Sequence, residues 1–549
     1  MGHEGRVTTD SANTGELIVL ALKRAGVSHL FTLNGGHIWP ILTAAVEHNI
    51  RIIDVRHEQS AAFAAEGWAK VTRECGVAAV TAGPGVTNSA SALAQAQSGD
   101  SPIFVIGGRA PVTRWGMGSL QEMDHLALVR SITKTSMTLE SAEDAYRSAG
   151  ECMREALSRR TGPTFMDVPI DIFFSGADVP EATEHLTPDR GPGPDPEAIK
   201  SAAALIRKAE RPAIIAGGTV WWSHAESELT RLVEGAHVPL CVNGLARGML
   251  PAGHPLFFPR ARGPALGEAD LILVVGVPLD FRLNFGGSPV FAGDAKLIYI
   301  DIDDYRKHKP GAVSIFGNVK TALGALAAAC EGIPERGEWL TKLRNAEAAA
   351  RKRDKAMVES DSSPVHPARL IAEVERFCDR DAVFVGDGGD FVSFAGRLVE
   401  RPKPGLWVDP GPYGCLGSGP AYAMAAKLAH PDRQVLLLSG DGAFGFSAME
   451  FDTMVRHKIP IVCVIGNNGI WALEKHPMQR MLGTSVAADL IPGTRYDKVV
   501  AALGGYGELV DRPDQLKPAL ERAFKAGVPA CINVICDPEA EYPRSSVLM

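Results

Sequence analysis

One stretch, residues 435–468, constrains the fold of this chain more than any other. It reads VLLLSGDGAFGFSAMEFDTMVRHKIPIVCVIGNN. An apolar run predicts a buried strand, Gly440-Asp441-Gly442 predicts a tight turn, and a helical pattern and a second apolar run follow. The stretch therefore predicts a βαβ unit of a parallel sheet, with Asp441 and Asn468 at the carboxyl ends of its two strands, where such sheets bind ligands.

The side chains at these two strand ends are oxygen ligands. Asp441 has a carboxylate and Asn468 an amide oxygen, and Mg²⁺ takes few protein ligands of this kind, completing its shell with phosphate and water. Glycines around Asp441 allow backbone N–H groups to approach a phosphate at a helix start. The pair predicts a diphosphate bound through a divalent cation. The alternative, which Gly-Asp-Gly alone would favour, is a turn and a polar strand end without a ligand.

The Gly-Asp-Gly turn and the Asn at the next strand end resemble the metal–diphosphate motif of thiamine diphosphate (ThDP) enzymes. The resemblance implies ThDP and Mg²⁺ as cofactors. It also implies three metal ligands, which are Asp441, Asn468 and the main-chain carbonyl of Ile470. Residues implied to lie at the diphosphate are Gly440, Gly442 and Ala443.

Composition excludes several classes of function. The 549 residues exceed a single core, so several domains are expected. A net charge of −8 gives no electrostatic basis for nucleic-acid binding. No apolar run is long enough for a membrane helix, and the nine scattered cysteines fit reduced thiols. We expect a cytoplasmic protein without nucleic-acid or membrane partners.

Alternating strands and helices predict an α/β fold of three doubly wound parallel-sheet domains. We expect a pyrimidine-binding domain over 1–175, a middle domain over 196–335 and a diphosphate-binding domain over 365–549. Predicted strands outside the opening stretch are 30–33, 51–55, 77–80, 103–106, 167–174, 213–216, 238–242, 271–275, 297–301 and 383–385. Segments 175–195 and 360–367 indicate linkers, and 338–359 a charged helical connector.

Glu58 follows the predicted strand 51–55 and begins the helical run that continues as SAAFAAEGWAK. In isolation it indicates a carboxylate that interacts with the helix dipole. Beside the Asp441 unit, segment 57–67 resembles the glutamate helix of ThDP enzymes. Their glutamate hydrogen-bonds N1′ of the cofactor and so promotes loss of the thiazolium C2 proton, which implies that Glu58 activates the cofactor.

Two further Gly-rich segments match the family. The turn 83–88, from Gly83 to Asn88, resembles the one that lines the pyrimidine pocket, and a plain strand-to-helix turn is compatible with that role. Leu416 lies in the Gly-rich run 414–420, at the position of an apolar residue that wedges under the cofactor and bends it. The alternative for Leu416 is a core leucine.

Two residues are candidates for substrate contact. The segment GSLQEMDH at 118–125 resembles the one that places a glutamine near the substrate in acetolactate synthases and acyl-CoA lyases. Gln121 has that position, and the alternative is a surface amide. His37 lies on a Gly-rich loop after a strand, where it contacts either the substrate or its own loop.

Candidates for the substrate or coenzyme A (CoA) come from three places. After the metal asparagine, Trp471 and Glu474 either set specificity or pack the entrance. In the middle domain, Arg260, Arg262 and Arg282 either bind a nucleotide phosphate or face solvent. In the tail, Tyr542 and Arg544 either close over CoA or belong to a frayed end.

The middle domain has no complete GxGxxG motif and no Walker loop. FAD-dependent acetolactate synthases usually have an Arg-Phe-Asp-Asp-Arg type of segment where this chain has VPLDFRLNFG at 277–286. This departure argues against FAD. ADP, CoA or no ligand at all remain as alternatives for the middle domain.

Over essentially its whole length the chain resembles the acetolactate synthase and 2-hydroxyacyl-CoA lyase (oxalyl-CoA decarboxylase-like) group. This implies cleavage or formation of a C–C bond in an acyl-CoA or 2-oxo acid. It also implies a homodimer or homotetramer with active sites between subunits, Glu58 from one chain and Asp441 from the other.

The absent FAD segment and the polar tail favour a 2-hydroxyacyl-CoA lyase, which yields formyl-CoA and an aldehyde or ketone. The first alternative is an acetolactate synthase that joins two pyruvates. The second is a non-catalytic protein with the same fold.

Overall fold

Parallel strands joined by helices account for the architecture of the chain. The computed structural model describes residues 11–180 and 187–542. These residues form three parallel sheets flanked by helices, which confirms the predicted α/β fold class. The chain divides into two compact units, the first formed by residues up to 189 without 70–72, and the second by 70–72 and the residues from 190 onward.

The first unit contains one of the three sheets. Its strands are β1 (Ser11–Asn13), β2 (His29–Thr32), β3 (Arg51–Asp54), β4 (Gly76–Val80), β5 (Ile103–Arg109), β6 (Thr135–Thr138), β7 (Thr164–Pro169) and β8 (Gly176–Asp178). Six of them form a parallel sheet in the order β3-β2-β4-β5-β7-β6, while β1 and β8 form an antiparallel pair.

Helices connect these strands. They are α1 (Thr14–Arg24), α2 (Trp39–Glu47), α3 (Glu58–Thr72), α4 (Pro84–Ser98), α5 (His125–Val129), α6 (Ala145–Leu157) and α7 (Ile170–Phe173). On α3 the side chains of Ala61, Ala64 and Ala65 are fully buried. A Cβ added at Gly76 of β4 would lie 1.9 Å from the carbonyl oxygen of Ala65, so small residues on both sides permit the close packing of helix on strand.

The second unit contains the other two sheets. The strands of the middle sheet are β9 (Pro212–Ala216), β10 (Leu240–Val242), β11 (Leu271–Val275), β12 (Lys296–Asp301) and β13 (Val313–Phe316), in the order β10-β9-β11-β12-β13. Those of the last sheet are β14 (Val383–Asp387), β15 (Trp407–Val408), β16 (Val435–Gly440), β17 (Val462–Asn467), β18 (Tyr506–Val510) and β19 (Ala530–Ile535), in the order β15-β14-β16-β17-β19-β18.

Helices also flank these two sheets. They are α8 (Pro196–Lys208), α9 (Gly218–Trp222), α10 (Glu226–Ala236), α11 (Arg262–Gly267), α12 (Val319–Ala329), α13 (Gly337–Val358), α14 (Pro367–Phe377), α15 (Asp390–Leu398), α16 (Gly419–Ala429), α17 (Asp441–Ser447), α18 (Glu450–Arg456), α19 (Ala472–Leu482), α20 (Tyr496–Ala502) and α21 (Leu516–Lys525). Within the described residues, no helix combines the length and the apolar character that crossing a bilayer requires.

Some sequence expectations about elements are wrong. The strand predicted over 167–174 ends at Pro169, and α7 follows, because proline provides no N–H for a sheet and is well suited to a helix start. The edge strands β6 and β13 were missed, since neither is a continuous buried apolar run. The short pair β1 and β8 and the strands β15, β18 and β19 of the last sheet were missed as well, although β19 is largely buried. The single helix expected after Asp441 is in fact two helices, α17 and α18. The ring of Phe444 on α17 contacts the ring of Phe451 on α18, and both are buried.

Asp387, the last residue of β14, joins two neighbouring loops. Its Oδ2 accepts the Gly419 N–H at 2.8 Å and its Oδ1 accepts the Gly417 N–H at 3.2 Å. The Gly417 carbonyl in turn accepts the hydroxyl of Ser447, at the end of α17, at 2.7 Å. Burial raises the pKa of Asp387 to about 6, and the backbone N–H groups oppose that rise. The carboxyl group therefore determines the conformation of the turn that contains Leu416.

Replacing Asp387 with alanine is expected to lower the free energy of unfolding by about 2–4 kcal/mol, because two buried N–H groups lose their acceptor. Urea unfolding followed by far-UV circular dichroism measures the change. Asp381→Ala, at an exposed position before the same strand, is the control and should change stability by less than about 0.5 kcal/mol. Equal effects of the two substitutions would contradict this role of Asp387.

Candidate active site

Three adjacent strands of the first sheet end at candidate site residues. His37 follows β2, Glu58 follows β3, and Thr81 follows β4. Glu58 is the first residue of α3, and its side chain is largely buried. The ring of His57 caps this helix by accepting the Gln59 N–H at 3.1 Å. Because β3, β2 and β4 are neighbours in a parallel sheet, their carboxyl ends bring these residues to one edge.

The Glu58 carboxyl group has a defined hydrogen-bond partner. The side-chain amide of Asn88 donates to Glu58 Oε2 at 2.9 Å. Asn88 lies within α4, because the helix already begins at Pro84, so the turn expected over 83–88 is mostly a helix start. The structure therefore brings together two residues that the sequence places 30 positions apart and orients one oxygen of Glu58.

Gly83 occupies a position that only glycine fits. Its φ is +55°, and a Cβ there would lie 2.9 Å from the Cβ of Gln121 and from its carbonyl oxygen. Positive φ and close approach are the two reasons for glycine at such a turn. The Gly83 N–H donates to Nε2 of His125 at 2.9 Å. Gly83 thus connects the start of α4 to the loop that contains Gln121.

Gln121 and His37, the two candidates for substrate contact, lie on either side of Thr81. Thr81 Oγ1 is 3.3 Å from His37 Nδ1 and 3.4 Å from Gln121 Oε1. Burial lowers the pKa of His37, which keeps its ring neutral near pH 7. Gln121 has a φ of +58°, which is uncommon for a residue other than glycine and is often found at functional sites. Sequence reasoning missed Thr81, which lies between the predicted strand 77–80 and the turn 83–88, and His125, which ends the segment 118–125.

Asp441, in the second unit, is a buried carboxylate at the start of α17. Its Oδ1 accepts the Gly442 N–H at 3.0 Å, and its Oδ2 accepts the Gly469 N–H at 2.9 Å. Among the described residues, no lysine, arginine or histidine pairs with it. Burial raises the pKa of Asp441 to about 6, and the two backbone N–H groups oppose that rise. A buried carboxylate of this kind favours a bound cation as its partner.

Asn468 and Ile470 follow β17, the strand that pairs with β16, which ends just before Asp441. Asn468 Oδ1 accepts the Ile470 N–H at 3.2 Å, which forms a tight turn. The described residues contain no group of three or more His, Cys, Asp or Glu arranged for a metal. The available donors at this edge are therefore carboxylate, amide and carbonyl oxygens, and this chemistry fits Mg²⁺ better than zinc.

The residues around Asp441 leave space on one side. A Cβ added at Gly440 would meet no atom within 4 Å, whereas one added at Gly442 would lie 2.5 Å from the ring of Trp471. Gly440 caps α17, and Gly442 and Ala443 lie in its first turn, where backbone N–H groups have no main-chain acceptor within the helix. An open helix start beside a buried carboxylate fits a diphosphate held through a cation.

Three other predicted residues lie in the second unit, two on loops and one on a helix. Leu416 is half-buried rather than part of the core, and it lies between Gly414 and Gly417, which both have positive φ. The Trp471 ring contacts Phe446 edge-on, at 6.4 Å between centroids. Glu474 is exposed on the first turn of α19.

A cavity of about 520 Å³ lies in the second unit and is bordered by residues of the middle and last sheets' domains. Six arginines line it: Arg247, Arg260, Arg262, Arg353, Arg397 and Arg401. Tyr542 also lines it and contacts Phe394 edge-on, whereas Arg544 lies outside the described residues.

Three of these six guanidinium groups, those of Arg260, Arg397 and Arg401, are paired with carboxylates. Arg260 binds Asp354 at 3.0 Å and also Glu400, and Arg397 binds Asp354 at 2.8 Å. Arg282, a predicted phosphate contact, does not line the cavity and instead binds Asp280 at 2.6 Å.

Arg247 differs from its neighbours at the cavity. Its Nη1 donates to the Gly396 carbonyl at 2.6 Å, and its Cζ lies over the ring of Trp407, 5.2 Å from the ring centroid. The Nε is buried without a hydrogen-bond partner among the described residues. Burial lowers the pKa of Arg247, and the charge of Asp409 opposes that shift. A buried cation of this kind at a cavity wall favours an anionic ligand.

Comparisons with known proteins match this chain along its length. Residues 12–128 match the model of the thiamine pyrophosphate enzyme N-terminal TPP binding domain, 199–326 the central domain, and 387–534 the C-terminal TPP binding domain. The acetolactate synthase large subunit IlvG of Mycobacterium tuberculosis is 52% identical over 99% of this chain and 100% of its own.

Relatives of lower sequence identity are named 2-hydroxyacyl-CoA lyases. The 2-hydroxyacyl-CoA lyase 2 of Bos taurus is 34% identical over 96% of this chain and 90% of its own, and that of Homo sapiens is 33% identical over 95% and 89%. The chain therefore belongs to the thiamine pyrophosphate enzymes, in the group that contains acetolactate synthases and 2-hydroxyacyl-CoA lyases.

Proposed function

We propose that this enzyme joins two 2-oxo acid molecules in the manner of an acetolactate synthase, with ThDP and Mg²⁺ as cofactors. The observation that carries the proposal is 52% identity to a protein of that name over the full length of both chains. That similarity outweighs the absent FAD segment and the polar tail, which favoured the lyase on sequence grounds. The synthase thus replaces the lyase as the first candidate.

The residues of the second unit bind the cofactor in this proposal. Asp441, Asn468 and the Ile470 carbonyl hold Mg²⁺, and the open start of α17 receives the diphosphate. Leu416 supports the cofactor from a turn whose conformation depends on Asp387. Bound ThDP supplies an electron sink for the carbon whose C–C bond is made or broken.

The residues of the first unit move a proton and orient the substrate. Glu58 exchanges a proton with the cofactor's aminopyrimidine, while Asn88 orients its carboxyl group. The Gln121 amide and the neutral His37 ring, joined through Thr81, provide hydrogen bonds for the carboxylate or carbonyl oxygen of a small 2-oxo acid.

A 2-hydroxyacyl-CoA lyase is the second candidate, and the arginine-lined cavity is the observation that favours it. The unpaired Nε of Arg247 and the hydroxyl of Tyr542 offer donors for the phosphates of CoA. ADP bound there without a catalytic role would use the same donors.

The state of assembly and the location are part of the proposal. We propose a cytoplasmic homodimer or homotetramer with active sites between subunits. Met117 and Leu120 support an association, because 75% and 76% of their respective surfaces are exposed beside Gln121, and such exposed apolar side chains often lie at interfaces.

A paired turnover assay tests the choice between the two candidates. With ThDP and Mg²⁺ present, one reaction contains pyruvate, and the other contains formyl-CoA and a simple aldehyde. Acetolactate in the first reaction is the expected result, and Arg247→Ala should leave its rate within about twofold. A 2-hydroxyacyl-CoA in the second reaction, with KM for formyl-CoA raised about tenfold by Arg247→Ala, would instead establish the lyase.

Replacing Glu58 with glutamine is expected to lower kcat by at least about 100-fold, because the amide keeps the contact with Asn88 but exchanges no proton. The affinity for ThDP, measured by quenching of tryptophan fluorescence, should change little. Glu47→Gln, at an exposed position of α2, is the matched control. A Glu58→Gln variant with near-normal turnover would refute the role of Glu58.

Asp441→Asn is expected to raise the Mg²⁺ concentration for half-maximal ThDP binding by about 10- to 100-fold, since a charge-assisted ligand is lost from a buried site. Fluorescence titration of the metal-free protein at fixed ThDP measures this shift. The control is Asp432→Asn, at an exposed position before β16, which changes the net charge by the same amount and should leave the Mg²⁺ dependence unchanged. Unchanged Mg²⁺ dependence in Asp441→Asn would exclude it as a ligand.

A further inference from the structure

A buried chain of polar groups lies behind the Gly83 turn. His125, the first residue of α5, has no exposed surface, and its Nδ1 is 3.0 Å from Oδ2 of Asp167 on β7. The same Oδ2 accepts Nη1 of Arg109 at 2.8 Å. On its other side, His125 Nε2 accepts the Gly83 N–H at 2.9 Å. None of these three side chains has a role in the function proposed above.

The partners of His125 determine its tautomer. Gly83 offers an N–H, so Nε2 must be the unprotonated acceptor of a neutral ring. Nδ1 then has the proton and donates it to Asp167. Asp167 Oδ2 accepts from both His125 and Arg109, and its contact with Nδ1 stabilises the Nδ1–H tautomer of the ring.

The hydrogen bond to Gly83 matters because of what that residue contacts. Gly83 packs against Gln121, since an added Cβ would lie 2.9 Å from the Cβ of Gln121. Gln121 and His125 are both part of the segment between β5 and β6, so this segment meets the turn at two points. The turn also begins α4, whose Asn88 donates to Glu58.

The Gly83 N–H has no partner within α4, because the first N–H groups of a helix have none. An apolar side chain at position 125 would leave this buried donor unpaired, which destabilises the turn. Both the substrate candidate and the cofactor-activating pair therefore depend on the acceptor at His125.

We propose that His125 is a positioning residue of the active site, which Asp167 keeps in the Nδ1–H tautomer so that Nε2 can accept the Gly83 N–H and align the turn with Gln121. His125 touches neither cofactor nor substrate in this role. The inference rests on the proposed function only in placing Gln121 at the substrate.

Two substitutions separate the halves of this role. In His125→Asn, the amide N–H replaces Nδ1–H toward Asp167, but no atom reaches the position of Nε2. In His125→Gln, the longer side chain places an amide oxygen near that position, where it accepts the Gly83 N–H. Met153→Ala, in the buried face of α6, is the control that lowers stability without changing the turn.

The expected result is a loss of about tenfold in kcat/KM for His125→Asn, with most of it regained in His125→Gln. Both variants should retain more than half of the wild-type affinity for Mg²⁺ at fixed ThDP, since Asp441 is unaffected. A merely structural role predicts that the loss of kcat/KM follows the decrease in melting temperature in all three variants, His125→Asn, His125→Gln and Met153→Ala. That pattern would overturn the proposal.

Hydrogen–deuterium exchange of the wild-type protein, resolved to single residues by fragmentation, tests the contact without any variant and without turnover. The Gly83 amide should exchange at least about 100-fold more slowly than the amide of an exposed helix cap. Fast exchange at Gly83 would overturn the proposal. Protection at Gly83 in a protein inactive on both substrate pairs would leave the alignment established and refute only the proposed reaction.

Discussion

Buried carboxylates at the ends of parallel strands control the active-site edge of the last sheet. Asp387 ends β14, and Asp441 follows β16, the neighbouring strand. Each carboxyl group accepts two backbone N–H groups, and for each burial raises the pKa to about 6. The difference lies in what accompanies them. Asp387 accepts hydrogen bonds that organise a glycine-rich turn, whereas Asp441 lies at the strand end next to that of Asn468 and Ile470, where the proposed Mg²⁺ would compensate its charge.

In the first sheet, the site residues are oriented by neutral hydrogen-bonding groups and by a single ion pair. Glu58 is oriented by the Asn88 amide, and the Gly83 turn is oriented by the ring of His125. The charge in this network lies deeper, between Asp167 and Arg109. Proton transfer requires a carboxyl group without a strong cationic partner, so an arrangement of amides and imidazole around Glu58 suits its proposed task.

The arginine-lined cavity and the similarity over the full chain favour different substrates. The arginine-lined cavity attracts anions, yet Arg260 and Arg397 are already neutralised by Asp354 and Glu400. The Nε atoms of Arg247 and Arg401 are both buried without a hydrogen-bond partner among the described residues, but Arg401 is also paired with Glu375. Ion pairs at such a wall also stabilise the packing of α13 against neighbouring elements. The cavity alone is therefore a weaker guide to the substrate than similarity over the full chain.

The sequence by itself determined the fold class and the strands that lead to the site, because apolar runs and glycine turns are local signals that are read within a few positions. It also singled out Glu58, Asp441 and Asn468, through the resemblance of their segments to the family's motifs, and their roles are proposals. It did not determine β6 and β13, whose pattern is only partly apolar, nor β15, β18 and β19 of the last sheet and the short pair β1 and β8. The bond from Asn88 to Glu58 and the Asp167–His125–Gly83 chain also come from the tertiary structure. Their members are 30 to 42 residues apart in sequence, and only the order of strands in the sheet brings them within hydrogen-bond distance.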